Sequence, residues 1–218
     1  MAPVTEFVYA SIKPGADLSP LSKNDQILLS QPGCQRVRSS LVHEDPSKLL
    51  LFIDWDSVAA HKAFMADGGV HGAFLSNIAP LVAGPAAISY VELQPHPASV
   101  LDNAGGKGKS PVAEVVQLYF AAGGDGDANK AQAEKFVAGV AGTAGFTGES
   151  AVGWTVEGDV EFKGEKCRRL VLVLGWQSVE AHVTAQGTEA FSKQLAQLRG
   201  GVEGLKGVEI FHVSTKSA

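Results

Sequence analysis

Histidine is the side chain best suited to moving a proton near neutral pH, and this chain places its histidines unevenly. His61 ends the run Trp55-Asp56-Ser57-Val58-Ala59-Ala60-His61, and His182 ends Trp176-Gln177-Ser178-Val179-Glu180-Ala181-His182. Five of the seven positions are identical and the runs lie 121 residues apart, so one fold unit occurs twice. His71, in Val70-His71-Gly72-Ala73-Phe74, has no twin, because Ser192 stands at the same offset. Shared architecture therefore cannot explain His71, which makes it the first candidate for a general base, with His61 the second. Tyr9 is a candidate hydrogen-bond donor, and Trp55 and Phe74 are candidate walls of a substrate site. Trp176, His182 and Tyr119 are the matching candidates in the second half. Together they suit deprotonation of an electron-rich phenol in a dry pocket, after which dioxygen or an internal electrophile would react. The opposing reading is that each Trp–His pair is a structural corner, its rings closing the end of a core.

Arg38 shares one face of a strand with Cys34, Arg36 and Ser40, opposite Val37 and Leu41. Lining an interior, its guanidinium would suit an enolate or carboxylate. On an edge it would be solvated charge, which is the reading the strand alone favours. His43, His96 and His212 are scattered, and no His, Asp or Glu set has metal-ligand spacing.

The elements that must position these groups follow from periodicity. Leu49–Ile53 and Leu170–Leu174 are apolar throughout, as strands buried on both faces are. Each leads through its Trp into a helix that Ser57 or Ser178 can cap, with His61 and His182 about one turn in. Before these, strands are expected over 6–12 and 34–43 and a helix over about 19–30; after them, a short helix over about 74–81 and a strand over 87–93. The order is β-α-β-β-α-β, a four-stranded antiparallel sheet with helices on one face. Residues 94–111 read as a linker, and 112–218 repeat the plan, Tyr119 matching Tyr9 at an offset of 110 and Phe211 matching Tyr90 at 121. Eleven extra residues then fall between the first strand and the second Trp, best placed in a hairpin around Glu157-Gly158-Asp159 and Lys163-Gly164-Glu165. A third strand apolar on both faces needs cover on each, and the partner half is the available cover. The expected fold is α+β: two ferredoxin-like repeats, 1–93 and 112–218, closed into one intramolecular barrel.

Composition excludes several classes. The 218 residues carry a formal net charge of −5, with no basic cluster beyond Lys107 and Lys109, so nucleic-acid binding is not expected. Two cysteines, Cys34 and Cys167, make no disulfide framework or zinc motif. No signal peptide and no membrane-spanning run are visible, which points to a cytoplasmic protein. Two glycine-containing runs mimic phosphate loops. Lys107-Gly108-Lys109-Ser110 precedes Pro111 and a strand rather than a helix, and the aspartates of Gly123-Gly124-Asp125-Gly126-Asp127 would repel pyrophosphate.

The repeated strand–Trp–x–Ser–x–x–Ala–His corner within a duplicated βαββαβ order resembles the dimeric α/β-barrel superfamily. It is most similar to antibiotic-biosynthesis-monooxygenase (ABM) domains of the fused, tandem kind found in fungi. The resemblance implies a small hydrophobic or aromatic ligand between sheet and helices, with Trp55 and Trp176 contributing to pockets. It implies cofactor-free oxygenation of polyketide quinols, haem degradation, or, in neighbouring branches, cyclisation, isomerisation or dehydration. The haem-degrading branch needs an asparagine on the first strand and a histidine ten residues past Trp. Here those later positions are Met65 and Gln186, so that activity is not expected. The expectation is thus a tailoring enzyme without metal, flavin or nucleotide, or else a non-catalytic, stress-associated ligand-binding barrel. A homodimer of the fused pair stays open. The second half, with the longer hairpin and no counterpart of His71, is the expected scaffold half.

Overall fold

Backbone pairing sorts the chain into two antiparallel sheets, each backed by helices. The computed structural model describes residues 2–103, 109–123 and 125–218; Lys107, Gly108 and Gly124, which the glycine-run readings used, lie outside the described residues. In order, the first half runs β1 (Val4–Ser11), α1 (Pro20–Leu29), β2 (Cys34–Leu41), β3 (Lys48–Trp55), α2 (Val58–Ala66), α3 (Gly68–Ile78) and β4 (Ala87–Val91). A 3₁₀ turn, Ser99–Leu101, leads to β5 (Val112–Ala121), α4 (Gly126–Gly139), β6 (Phe146–Trp154), β7 (Val160–Phe162), β8 (Glu165–Trp176), α5 (Val179–Gln186), α6 (Glu189–Gly201), β9 (Leu205–Val213) and β10 (Lys216–Ser217). Strand orders are β10-β2-β3-β1-β4 and β6-β8-β5-β9, with β7 on β8. Both halves are the expected split βαβ unit.

Side chains alternate across each strand, so one sheet serves two cores. Leu49, Leu51, Ile53 and Trp55 pack under the first-half helices, while Phe7, Leu50 and Phe52 point the other way. There they meet Val115, Val171 and Val173 of the second sheet, which turns Leu118, Leu170, Leu172 and Trp176 toward its own helices. Two seams close the sheets into a barrel. Gln94 and Val152 exchange backbone hydrogen bonds of 3.0 Å on one side, and His43 N donates to the His212 carbonyl at 2.9 Å on the other. At that second seam β10 also pairs with β2, Lys216 opposite Ser39. Ala98, Val100 and Leu101, from the connecting segment, are buried in the central core.

The repeated corner has a local cause. Ser57 accepts from Ala60 N at 3.2 Å and Ser178 from Ala181 N at 3.1 Å, so both caps form as expected. Gly33 and Gly145 have φ of 83° and 84°, and a Cβ there would come within 2.8 and 2.7 Å of the Ala60 and Ala181 methyls. Ser, Ala and His thus recur because each meets a fixed partner. The third helix starts earlier than expected, at Gly68, because Asp67 accepts from Gly69 N and Val70 N at 3.1 Å. Asp125 caps α4 in the same way, filling the helix end that a phosphate would need.

The register corrects the alignment of the halves. Glu6 pairs with Ile53 and Tyr90, while Glu114 pairs with Leu174 and His212. Glu6 therefore corresponds to Glu114 at an offset of 108, Tyr9 to Gln117 and Tyr90 to His212. Neither Tyr119 nor Phe211 is the counterpart expected from the tyrosine spacing. Part of the extra length lies where it was expected: β7 and a tight turn at Lys163 and Gly164 (φ 52° and 82°) extend β8 to 12 residues. The rest lies before β6, where α4 has 14 residues against 10 in α1.

Because the central core belongs to both sheets, removing Phe52 (0 % exposed) should destabilise the whole chain by about 3–5 kcal/mol. Urea unfolding of Phe52→Ala, followed by tryptophan emission and far-ultraviolet circular dichroism, should show one coincident, shifted transition. A separate, unshifted second-half transition would contradict the shared core.

Candidate functional site

Each half buries a glutamate on its first strand, under the repeated Trp–His corner. Trp55 Nε1 donates to Glu6 Oε2 and Trp176 Nε1 to Glu114 Oε2, both at 2.8 Å. The histidines approach the other carboxyl oxygen, His61 Nε2 at 3.5 Å and His182 Nε2 at 3.3 Å. Each imidazole also lies against its indole, with centroids 5.1 and 4.7 Å apart. All six side chains are buried, with no residue more than 4 % exposed.

Burial drives the electrostatics. It pushes the Glu6 and Glu114 carboxyls up to about 7, against the opposing pull of the indole N–H groups. Burial likewise pulls His61 and His182 down to about 4, helped by the nearby His71 and His212 rings respectively. Between about pH 4 and 7 each pair is therefore a protonated carboxyl beside a neutral imidazole.

The halves differ in what lies behind the histidine. His61 Nδ1 contacts the Tyr90 hydroxyl at 2.6 Å. His182 Nδ1 contacts His212 Nε2 at 2.8 Å, and His212 Nδ1 makes a short hydrogen bond to Glu44, whose other oxygen accepts from His212 N at 2.9 Å. They differ also in space. A cavity of about 300 Å³ opens under α4 and α6, and Glu114 lines it among Val116, Leu118, Phe136, Leu172, Phe191, Leu195 and Leu198. Arg199 and Gln186 supply its other polar groups, and the exposed Val208 and Ile210 edge its mouth. The corresponding first-half cavity, about 230 Å³, is lined by apolar residues alone, Val8, Leu21, Leu51 and Leu75 among them. A wider open groove of about 590 Å³ beside α1 and β10 is lined by His43 but by none of the candidate site residues.

The sequence candidates separate onto the helix-facing and barrel-facing sides of the sheets. His61, Trp55, Phe74 and His71 gather on the helix side: the His71 ring stacks on Phe74 (centroids 6.3 Å apart) and meets the Phe64 edge at 5.2 Å. None of the four borders the first-half cavity. Tyr9, Tyr119 and Arg38 lie on the opposite side, in the barrel. Tyr9 donates to Gln117 Oε1 at 3.2 Å, and Tyr119 donates to Glu209 at 2.6 Å while stacking on Phe162. Arg38 is not the solvated edge charge favoured above. It is 1 % exposed and bound by Asp54 at 2.9 Å and Asp102 at 2.5 Å. Trp176 and His182 sit behind Glu114. Sequence reasoning missed Glu6, Glu114, Glu44 and the partnership of His212. The signal available was Val-x-Glu-x-Val, present as Val4–Val8 and again as Val112–Val116. Among the described residues, no group of three His, Cys, Asp or Glu side chains is placed to hold a metal ion.

The Glu114–His182 pair makes a signed prediction for stability. Folded Glu114 keeps its proton where the unfolded chain loses it, so stability falls as pH rises from 4.5 to about 7. Folded His182 stays neutral where the unfolded chain is protonated, so stability falls as pH drops from 6.5 to about 4. The opposed slopes offset where they overlap. Glu114→Gln can still accept from Trp176 and donate to His182, but it removes the first slope only. Its stability should climb by about 3 kcal/mol between pH 4 and 6.5 relative to wild type, read from urea melts at several pH values. A variant whose pH dependence matches wild type would refute the paired assignment.

Comparison places this geometry among known folds. No protein-family model matches the chain, and no curated protein does. Solved structures do match, end to end. A protein of Lactobacillus acidophilus provisionally named a monooxygenase aligns with TM-score 0.62 at 11% identity, over 100% of this chain and 96% of that one. An anthrone oxidase-like protein aligns with TM-score 0.62 at 15% identity, over 100% and 94%. A provisionally named chlorite dismutase aligns with TM-score 0.58 at 10% identity, over 99% and 95%. No helix of the described residues is long and apolar enough to cross a membrane. By fold, the chain shares its two helix-backed antiparallel sheets with these proteins over its whole described length.

Proposed function

We propose that the chain is a small-molecule tailoring enzyme, monooxygenase-like or cyclase/isomerase-like, acting on an aromatic or polyketide-type substrate in the second-half cavity. The observation that carries this reading is Glu114, a carboxyl of raised proton affinity in the lining of an otherwise largely apolar hollow. Such a group, poised near the working pH, is suited to general acid–base chemistry. Its carboxylate takes a proton from a phenol or an activated C–H of a flat substrate held between Leu172, Phe136 and Phe191. The resulting anion then reacts with dioxygen or with an electrophile in the same molecule. Arg199, on the same cavity wall, offsets the charge that develops. On this reading the base is Glu114 in the second half rather than His71 or His61 in the first, and the proposed chemistry uses no metal, flavin or nucleotide. The neighbours' names agree with the reaction class, and the cavity volume suits a small multi-ring molecule.

The all-apolar first-half cavity favours a second reading for that half, in which it holds an apolar ligand without chemistry. Binding and turnover of an anthrone, followed by fluorescence and product chromatography, separate the two. Glu114→Gln should keep binding and lose turnover by about 10²–10⁴-fold, while Leu195→Trp should block binding. Loss of binding in Leu75→Trp but not in Leu195→Trp, with no turnover by wild type, would instead make the chain a ligand-holding barrel.

A further inference from the structure

We propose that His182, His212 and Glu44 form a proton relay connecting Glu114, in the second-half cavity, to the protein surface. The inference rests on the reading of Glu114 as the proton-transferring group. It stands on one unbroken line of contacts: Glu114 Oε1 to His182 Nε2 at 3.3 Å, His182 Nδ1 to His212 Nε2 at 2.8 Å, and His212 Nδ1 to Glu44. The first three residues are at most 5 % exposed, while the Glu44 side chain is 45 % exposed. A ligand filling the cavity would cover Glu114, leaving this line as its way out.

Hydrogen-bond polarity fixes how the protons sit. His212 holds the Glu44 carboxyl below the usual range, so Glu44 is ionised and His212 Nδ1 carries a hydrogen. In the resting arrangement His182 Nδ1–H donates to His212 Nε2, leaving His182 Nε2 as an acceptor. That atom is buried and makes no hydrogen bond among the described residues; a hydrogen on Glu114 Oε1, 3.3 Å away, would supply one. The shifted arrangement moves two protons one step each. Glu114 gives its proton to His182 Nε2, and His182 passes its Nδ1 proton to His212 Nε2. The number of protons is unchanged. Glu114 is now a carboxylate, and the positive charge rests on His212 beside ionised Glu44, from which a proton can leave to water. The other charged or titratable groups around this line are His43, whose N–H holds the His212 carbonyl, Glu180 on α5 and Arg199 on the cavity wall.

The first half lacks the device. Tyr90 occupies the place of His212, and among the described residues its hydroxyl has no hydrogen-bond partner beyond His61, so the line ends there. Glu44 belongs to the turn after β2, so the relay draws one residue from the first half and three from the second.

The test is infrared-detected hydrogen–deuterium exchange of the protonated Glu114 carboxyl in the full chain without ligand, with the band assigned by its loss in Glu114→Gln. His212→Tyr, which copies the first half, and the surface change Glu44→Gln both interrupt the line. In each, the Glu114 band should exchange more slowly than in wild type, by about tenfold or more. Anthrone turnover in His212→Tyr should fall about 10²-fold with binding unchanged. A Glu114 exchange rate that is the same in wild type, His212→Tyr and Glu44→Gln would overturn the relay. Turnover that survives Glu114→Gln would overturn the acid–base reading of the site instead, and the infrared result would still decide whether the relay exists.

Discussion

A sheet whose middle strands are apolar on both faces cannot end at one layer of helices. β3 and β8 bury Leu50, Phe52, Val171 and Val173 on the side away from the helices, and the only surface that can dry them is the other sheet. That requirement dictates the rest: two sheets face to face, seams at Gln94–Val152 and His43–His212, and the connecting segment packing Val100 and Leu101 into the shared core. Linking the halves in one chain makes that closure intramolecular. It also brings Glu44 of one half onto His212 of the other, a contact neither half could make alone.

Duplication supplied two equal corners, and divergence made them unequal. Both keep Trp, Ser, Ala and His because an indole N–H, a helix cap, a glycine contact and a buried carboxyl each demand one side chain. A buried carboxyl is costly unless it is protonated or paired, so its retention in both halves needs a reason beyond packing. In the second half that reason is a cavity that reaches Glu114. In the first, the cavity stops short of Glu6, and Tyr90 closes the line behind His61. On the proposed reading the first corner is an architectural strut and the second a site. That the same fold also carries a protein named for chlorite chemistry shows why the reaction must be argued from such residues rather than from the barrel.

Most of the fold was legible in the sequence. The repeated heptapeptide, the serine caps and the unbroken apolar runs are local signals, and each led to the right element. The site was less legible because its partners are distant in the chain. Glu44 and His212 lie 168 residues apart, and Arg38 reaches Asp102 across 64. His212 looked scattered for that reason, and Arg38 looked solvated. Glu6 and Glu114 were hidden by a plausible misalignment: two tyrosines at an offset of 110 drew the eye from Val-x-Glu-x-Val at 108. A charged residue in an apolar strand also reads as an edge until pairing shows that strand to be central.

The central claim is that Glu114 is a carboxyl of raised proton affinity in direct contact with a ligand-accessible cavity. Carbon-13 NMR of protein labelled at glutamate side-chain carboxyls tests it most directly. Two resonances, assigned by Glu6→Gln and Glu114→Gln, should titrate near 7, well apart from the surface glutamates. An anthrone should move the Glu114 signal and leave the Glu6 signal in place. If Glu114 titrates with the surface carboxyls, or if the ligand shifts Glu6 instead, the account is wrong.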